Sequence, residues 1–234
     1  MTPEVQRELR QVILGVRSFA DAEAAMPFLE ALLGMGPAAI TGILVDEMTS
    51  GLAVGRRQRV VTETGALIEV PTAQRAREIA RSEARAIRES LSAAARRSSA
   101  EWRLDLAAGD LAETVWRAAR QSDLVMFGYR PIRKYQGRVV LILDPDDPEP
   151  DLKAAAETLA ASLGTDVTVI EAPLEESAAL VSEKVDRLHA AVILTSLHAG
   201  RIATINDLRL FLSAARCPVA LSGMGDLVQV SDAS

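Results

Sequence analysis

The stretch SDLVMFGYRPIRKYQGRVVLILDPDD, residues 122–147, decides the fold. It holds two short apolar runs, Leu124–Phe127 and residues 139–143, on either side of a basic connection that contains glycine and proline. Short apolar runs without alternation are typical of strands that helices cover on both faces of a parallel sheet. The stretch therefore predicts the end of one α/β unit and the start of another.

Outward from this stretch, apolar runs and helical segments alternate along the whole chain. Apolar residues at spacings of three and four predict a long helix over 72–97. Regular alternation of strand and helix predicts an α/β fold with a Rossmann-like, doubly wound parallel sheet. The remaining predicted strands cover 11–16, 38–45, 102–106, 166–170, 191–194 and 218–222, and the remaining helices cover about 22–33, 110–120, 175–188 and 206–215.

Composition narrows the class of protein. Apolar residues make up 49% and charged residues 25%, which is ordinary for a globular protein. No apolar run approaches the roughly 18–20 residues that span a bilayer, and the polar N-terminus does not resemble a signal peptide. Cys217 is the single cysteine, which excludes a disulfide framework. We therefore expect a cytoplasmic protein without membrane insertion, with Cys217 as a small buried side chain.

Charge is distributed unevenly along the chain. Residues 1–137 carry 19 Lys/Arg and 17 Asp/Glu, whereas residues 138–234 carry 7 and 15, within a net charge of −6. Nucleic-acid-binding domains have a strongly basic balance on at least one face. Neither half has that balance, so we expect no nucleic-acid partner.

The pattern of the first part of the chain begins again after residue 137. Residues 11–17 (QVILGVR) align with 138–144 (RVVLILD), and Leu33-Gly34 corresponds to Leu163-Gly164. The second copy omits the long helix, one strand and the long loop 48–71, in which β-type runs at 60–62 and 66–70 allow a small hairpin. We predict two units, 1–131 and 138–225, followed by a tail at 226–234. Because the first unit lacks a last strand, residues 139–143 are expected to fill that place in its sheet.

These segments resemble the universal stress protein family in a divergent tandem form. The similarity rests on QVILGVRS (11–18), TGILVDE (41–47), GDLAETVWRAARQSDLVMFG (109–128) and AARCPVAL (214–221). The resemblance implies two universal-stress-type units and a non-enzymatic stress-response or signalling function. It also implies a homodimer through the last strand, Pro218–Ser222, and allows a protein partner.

Family members that bind ATP carry an aspartate after strand one and a G-x2-G-x9-G-[S/T] loop after strand four. Glycines in such a loop let backbone N–H groups approach the phosphates. Here Arg17 stands at the first aspartate position and Pro131 at the second glycine, whereas Asp144 matches the aspartate of the second unit. We therefore predict a degenerate nucleotide-binding motif with no certain cofactor. The alternative is an adenine-nucleotide sensor that binds ATP or AMP.

The candidate nucleotide-binding residues follow predicted strands, at the carboxyl ends where open α/β sheets bind ligands. Each also has a structural interpretation: a glycine turn, an acidic helix cap, or a solvated loop. The loop 195–201 (TSLHAGR) combines small residues, a donor and a cation. The candidates are Gly128, Arg130, Asp144, Ser196, His198, Gly200 and Arg201.

Catalytic and metal-binding patterns are missing from the sequence. His189 and His198 lack a partner set of cysteines or histidines, and no G-x-S-x-G elbow occurs. A nucleotide-hydrolase relative would need a Ser-Gly-Gly-x-Asp-Ser type loop after strand one, where this chain reads RSFA at 17–20. We therefore expect no catalytic residues and no metal. Trp102 and Trp116 are expected to pack in the core of the first unit.

Overall fold

A computed structural model of the chain describes ten segments of the sequence, and everything below refers to them. For residues 59–61, 67–69, 73 and 76 only the backbone is described. The segments are 11–35, 39–47, 59–61, 67–69, 73–119, 124–130, 137–146, 149–173, 175–196 and 202–223.

Strands and helices alternate as the sequence predicts, and the small hairpin allowed by the runs at 60–62 and 66–70 is confirmed within one residue at each end. The hairpin consists of β3 (Arg59–Val61) and β4 (Leu67–Glu69), which pair antiparallel with each other inside the predicted long loop. The other strands are β1 (Gln11–Val16), β2 (Ala39–Asp46), β5 (Trp102–Ala108), β6 (Leu124–Phe127), β7 (Arg138–Leu143), β8 (Val167–Glu171), β9 (Ala190–Ser196) and β10 (Val219–Ser222). The helices are α1 (Phe19–Leu33), α2 (Ala73–Ser98), α3 (Leu111–Ala118), α4 (Pro150–Leu163), α5 (Ala178–Asp186) and α6 (Ile205–Ala215).

Within the described segments, the main sheet has eight strands in the order β5-β2-β1-β6-β10-β9-β7-β8. Strands β5, β2, β1 and β6 run parallel to one another, and so do β10, β9, β7 and β8. The two sets meet at β6 and β10, which pair antiparallel. The predicted α/β, Rossmann-like doubly wound fold is confirmed, with one antiparallel junction in the middle of the sheet.

Helices cover both faces of this sheet. Buried residues of α1, α2 and α4 pack on one face, and buried residues of α3, α5 and α6 pack on the other. The central strands β1, β6, β7 and β10 are therefore apolar on both faces, as their continuous apolar runs indicate. Among the described residues, no helix has the length and apolar character needed to cross a membrane.

The position of β10 overturns two predictions. Pro218–Ser222 was expected to form a dimer interface, but β10 pairs with β6 on one side and β9 on the other, and Val219, Ala220 and Leu221 have no exposed surface. A strand with both edges paired offers no edge to a second chain. The place beside β6 is filled by β10 rather than by residues 139–143, which lie between β8 and β9.

Ser18 caps α1, and Trp102 and Trp116 differ in how far they are buried. The side chain of Ser18 accepts a hydrogen bond from the Asp21 N–H at 3.2 Å and caps α1, which begins earlier than the predicted residue 22. Trp116 packs against the core as expected. The prediction for Trp102 is wrong: it lies on the edge strand β5, and 36% of its surface is exposed.

Candidate functional site

Two edges of the main sheet are candidate sites, because ligands of open α/β sheets bind beyond the carboxyl ends of parallel strands at a switch point. The first edge holds the carboxyl ends of β1, β2, β5 and β6. The second edge holds those of β7, β8, β9 and β10. Since β6 and β10 are antiparallel, these edges lie at opposite ends of the strands. The switch points fall between β1 and β6 and between β7 and β9.

Gly128 follows β6 at the first edge and continues the sheet rather than opening a loop. Its N–H donates to the carbonyl oxygen of Gly15 at 2.9 Å. A Cβ at this position would lie 2.7 Å from the carbonyl oxygen of Asp21 and 2.7 Å from Cγ1 of Val16. The glycine is thus required by the close approach of α1 to the end of β6.

Arg130 uses its backbone N–H inside the chain. That N–H donates to Oδ1 of Asp21 at 2.9 Å, and Asp21 is only 8% exposed. Because Asp21 lies in the first turn of α1, its carboxylate also benefits from the positive end of the helix dipole. A side-chain carboxylate therefore occupies the position where the loop after β6 could bind an anion.

Glu83 of α2 places a second carboxylate at the same helix start. It accepts a hydrogen bond from the backbone of Phe19, the first residue of α1. Burial raises the pKa of Glu83 above 4.5, and repulsion from Asp21 and, more weakly, from Asp46 adds to the increase. The Phe19 hydrogen bond opposes this shift because it favours the ionised form. The carboxylates of Asp21 and Glu83 therefore both lie at the first edge.

A cavity of about 220 Å³ opens beside Gly128, between the first edge and α3 and α6. Its two arginines face acidic partners: Arg17 lies 3.8 Å from Glu47, and Arg209 lies 3.1 Å from Asp110. Each arginine in the cavity lining therefore has a carboxylate neighbour. The lining residues are Arg17, Glu47, Asp110, Leu111, Ala112, Phe127, Gly128, Tyr129, Arg209, Leu212, Ser213 and Cys217.

Cys217 reaches this cavity but is not a candidate nucleophile. Its side chain is buried, as the sequence predicted, and burial raises the pKa of its thiol to about 12. Only the thiolate is strongly nucleophilic, so the thiol stays unreactive near neutral pH. Within the described residues, no group of three metal-ligating side chains comes together either.

The second edge collects polar side chains on three adjacent strands. Asp144 follows β7, is 4% exposed, and accepts the N–H of Asp146 at Oδ1 over 2.9 Å. Ser196 ends β9 and is 3% exposed. In the β9–β10 register it is opposite Ser222, whose hydroxyl is buried and has no hydrogen-bond partner among the described residues. A carboxylate and two hydroxyl groups thus lie at the carboxyl ends of three neighbouring strands.

The predicted site residues do not form one cluster. Gly128 and Arg130 lie at the first edge, whereas Asp144 and Ser196 lie at the second. His198, Gly200 and Arg201 lie outside the described residues. The antiparallel junction separates the two pairs, and this junction was not expected from the repeated βα pattern.

Three residues at the first edge were not expected from the sequence to contribute to a site. Asp21 lies at capping-box spacing after Ser18, which indicates a helix start, but no local pattern shows that its carboxylate also accepts the N–H of Arg130 in the loop after β6. Glu83 stands among many charged residues of a long helix, so periodicity gives no hint of its contact with α1. Arg209 comes to the cavity from α6, far along the chain. Of these three residues, only Asp21 has a local sequence signal, which is its capping-box spacing from Ser18.

Comparisons with known proteins add little to this geometry. No protein-family profile matches the chain, and no curated protein sequence matches it. Among solved structures, the chain has 8% identity and a TM-score of 0.20 to one described as tryptophan synthase from M. tuberculosis in an open form with BRD0059 bound. That alignment covers 97% of this chain and 87% of the other. A TM-score this low supports no conclusion about fold or function.

Proposed function

We propose that the chain is a non-enzymatic stress-response or signalling protein of the universal-stress type, in which nucleotide binding at the first edge has been lost. In this proposal the protein acts in the cytoplasm through a protein partner. The proposal rests on the sequence resemblance together with one observation. The N–H groups of Gly128 and Arg130 are already bonded to Gly15 and Asp21.

Because these N–H groups already have acceptors within the chain, they do not bind a nucleotide phosphate. A phosphate that binds where a strand passes into a loop needs backbone N–H groups without another acceptor, or a cation without a carboxylate partner. At the first edge, Asp21 and Glu83 accept the N–H groups of Arg130 and Phe19, and both cavity arginines have carboxylate neighbours. An added phosphate would meet repulsion from these carboxylates instead of donors.

The strand arrangement supports the proposed two-unit architecture. In the first half, β1 lies between β2 and β6, and in the second half, β7 lies between β8 and β9. Each half therefore places its first strand between its second strand and a later one. The alignment of 11–17 with 138–144 puts β1 and β7 in equivalent places.

A direct test is analysis of small molecules released from the purified, denatured protein, combined with thermal-shift titration with ATP, ADP and AMP. We expect no stoichiometric nucleotide and no shift in the melting temperature. A bound nucleotide whose binding is lost on replacing Asp21 would contradict the proposal, since it would place a working site at the first edge.

An adenine-nucleotide sensor is the second candidate, and the second edge favours it. Asp144 and Ser196 lie beyond neighbouring strands at a switch point, and the hydroxyl of Ser222 lacks a partner among the described residues. Carboxylates and hydroxyls at this position suit ribose hydroxyls. Lys184 of α5 reaches the carbonyl oxygen of Glu171 at this edge, but its ammonium group is paired with Glu176. A ligand with a single phosphate, such as AMP, therefore fits this edge better than ATP.

The variant Asp144→Ala separates the two candidates. If the second edge binds AMP, AMP should raise the melting temperature of the wild type, and Asp144→Ala should abolish that increase. Asp151→Ala removes an exposed carboxylate from the following helix and serves as the control, which should respond to AMP like the wild type. Absence of any response in the wild type rejects the sensor.

A further inference from the structure

Strand β5 forms one outer edge of the main sheet, where β2 is its only partner within the described part of the chain. The carbonyl oxygen of Glu101 accepts the N–H of Ile40 at 2.8 Å, and the backbone carbonyl oxygen of Asp46 accepts the N–H of Gly109 at 3.2 Å. Odd-numbered residues of β5 therefore bond to β2. Because backbone groups alternate sides along a strand, Trp102, Leu104 and Leu106 direct their N–H and C=O groups to the open edge.

The side chains of β5 are unusually apolar for an open edge. Trp102 is 36% exposed and Leu106 is 59% exposed, and both share a face with Leu104, which packs against the core beside α2. The opposite face carries Arg103 and Asp105, whose Nε and Oδ2 atoms lie 3.4 Å apart. Their side chains are 66% and 55% exposed. Long apolar edges of this kind are ready to pair with another strand.

We propose that β5 pairs antiparallel with β5 of a second copy of this chain, about a two-fold axis at Leu104. In this register Leu104 faces Leu104 of the second copy, and Trp102 faces Leu106. These are hydrogen-bonded pairs, because the backbone groups of all three residues point outward. On the other face Arg103 lies opposite Asp105, so opposite charges meet twice across the axis.

The sequence of β5 selects this register over its neighbours. An axis at Arg103 would place arginine opposite arginine, and an axis at Asp105 would place aspartate opposite aspartate. Like charges directly opposite each other are destabilising. A two-fold axis also requires a surface that complements itself, and apolar-Arg-apolar-Asp-apolar has that property only about Leu104.

The other outer strand, β8, lacks such complementarity. Its sequence VTVIE carries a single charge, and an axis at Val169, its exposed apolar residue, would place Val167 opposite Glu171. Charge complementarity therefore favours β5 as the dimer edge. The resulting assembly would continue the main sheet across two chains.

A charge-swap series tests the proposal by sedimentation and light scattering of the full chain over a dilution series. We expect the wild type to have twice the 25.1 kDa mass of one chain. Arg103→Asp and Asp105→Arg should each weaken the dimer by at least about tenfold, since each places like charges opposite each other. The double variant Arg103→Asp/Asp105→Arg should restore it. Val169→Asp adds a charge to β8 as the control and should leave the dimer intact.

Trp102 supplies an independent readout. In a Trp116→Phe background, dissociation on dilution should shift its emission to longer wavelength, because the ring loses its cover from Leu106 of the second copy. Circular dichroism verifies that each variant is folded. A wild type with the mass of one chain throughout the series overturns the proposal. So does a dimer that the single substitutions leave unchanged, or a double variant that stays dissociated.

Discussion

Carboxylates of the chain itself stand where an anionic ligand of the first edge would bind. Asp21 accepts the N–H of Arg130, and Glu83 accepts the N–H of Phe19 at the start of α1. Both interactions join α1 to a different element, the loop after β6 in one case and α2 in the other. A ligand phosphate would have to displace them. Burial and the neighbouring Asp21 also raise the pKa of Glu83, and this shift can be measured.

Replacing Glu83 by glutamine should change how stability depends on pH. The pKa of Glu83 is raised in the folded chain, so folding favours its protonated form, and this stabilisation is lost as pH rises from about 4.5 through the raised value. Glutamine stays neutral and can still accept the Phe19 hydrogen bond. The stability of Glu83→Gln relative to the wild type should therefore increase with pH over this window.

Urea unfolding at a series of pH values from about 4 to 7 measures this trend. Glu89→Gln, on the exposed side of the same helix, corrects for loss of one negative charge from α2. A difference between Glu83→Gln and the wild type that stays constant or decreases with pH contradicts the assignment.

Helix α6 links the two halves of the molecule on one face of the sheet. Arg209 on α6 bonds to Asp110 at 3.1 Å and approaches Glu113 of α3 at 3.4 Å. The helix begins at a capping box in which Thr204 and Asp207 bond to each other's backbone N–H groups. Its position over β10 and the cavity thus depends on a well-defined first turn.

Thr204→Ala should lower the free energy of unfolding by about 1 kcal/mol, because the N–H of Asp207 loses its side-chain acceptor. Thr204→Ser keeps the hydroxyl oxygen and should remain within about 0.5 kcal/mol of the wild type. Chemical denaturation followed by circular dichroism gives both values. Equal losses in the two variants would show that the cap oxygen is not the stabilising group.

The whole molecule is held together by β10, the last described strand. It comes from the second half of the chain, pairs antiparallel with β6 of the first half, and is buried between β6 and β9. A sheet that is continuous through this strand should unfold cooperatively. The two tryptophans, Trp102 and Trp116, both lie in the first half, so their fluorescence reports mainly on that half.

Leu221→Ala should therefore destabilise both halves together. Leu221 has no exposed surface and lies opposite Val125 in β6, so its truncation should cost about 2–5 kcal/mol. Tryptophan fluorescence and circular dichroism should shift to the same lower midpoint. Leu180→Ala, at a 51% exposed position on α5, is the control and should change stability by less than about 0.5 kcal/mol. A fluorescence midpoint that stays at the wild-type value would show that the halves unfold separately.

The sequence by itself determined the α/β class and the places of the strands, because apolar runs and helical periodicity are local patterns. It also located Gly128, Arg130, Asp144 and Ser196 near carboxyl ends of strands, since each lies within three residues of the end of an apolar run. Tertiary structure alone decided that β10 lies beside β6 and that these candidates fall at opposite edges. The order and direction of the strands depend on which strands pair with each other, and these pairs join residues that are far apart in the chain. The carboxylates of Asp21 and Glu83 acquire their roles only after this packing brings α1, α2 and the end of β6 together.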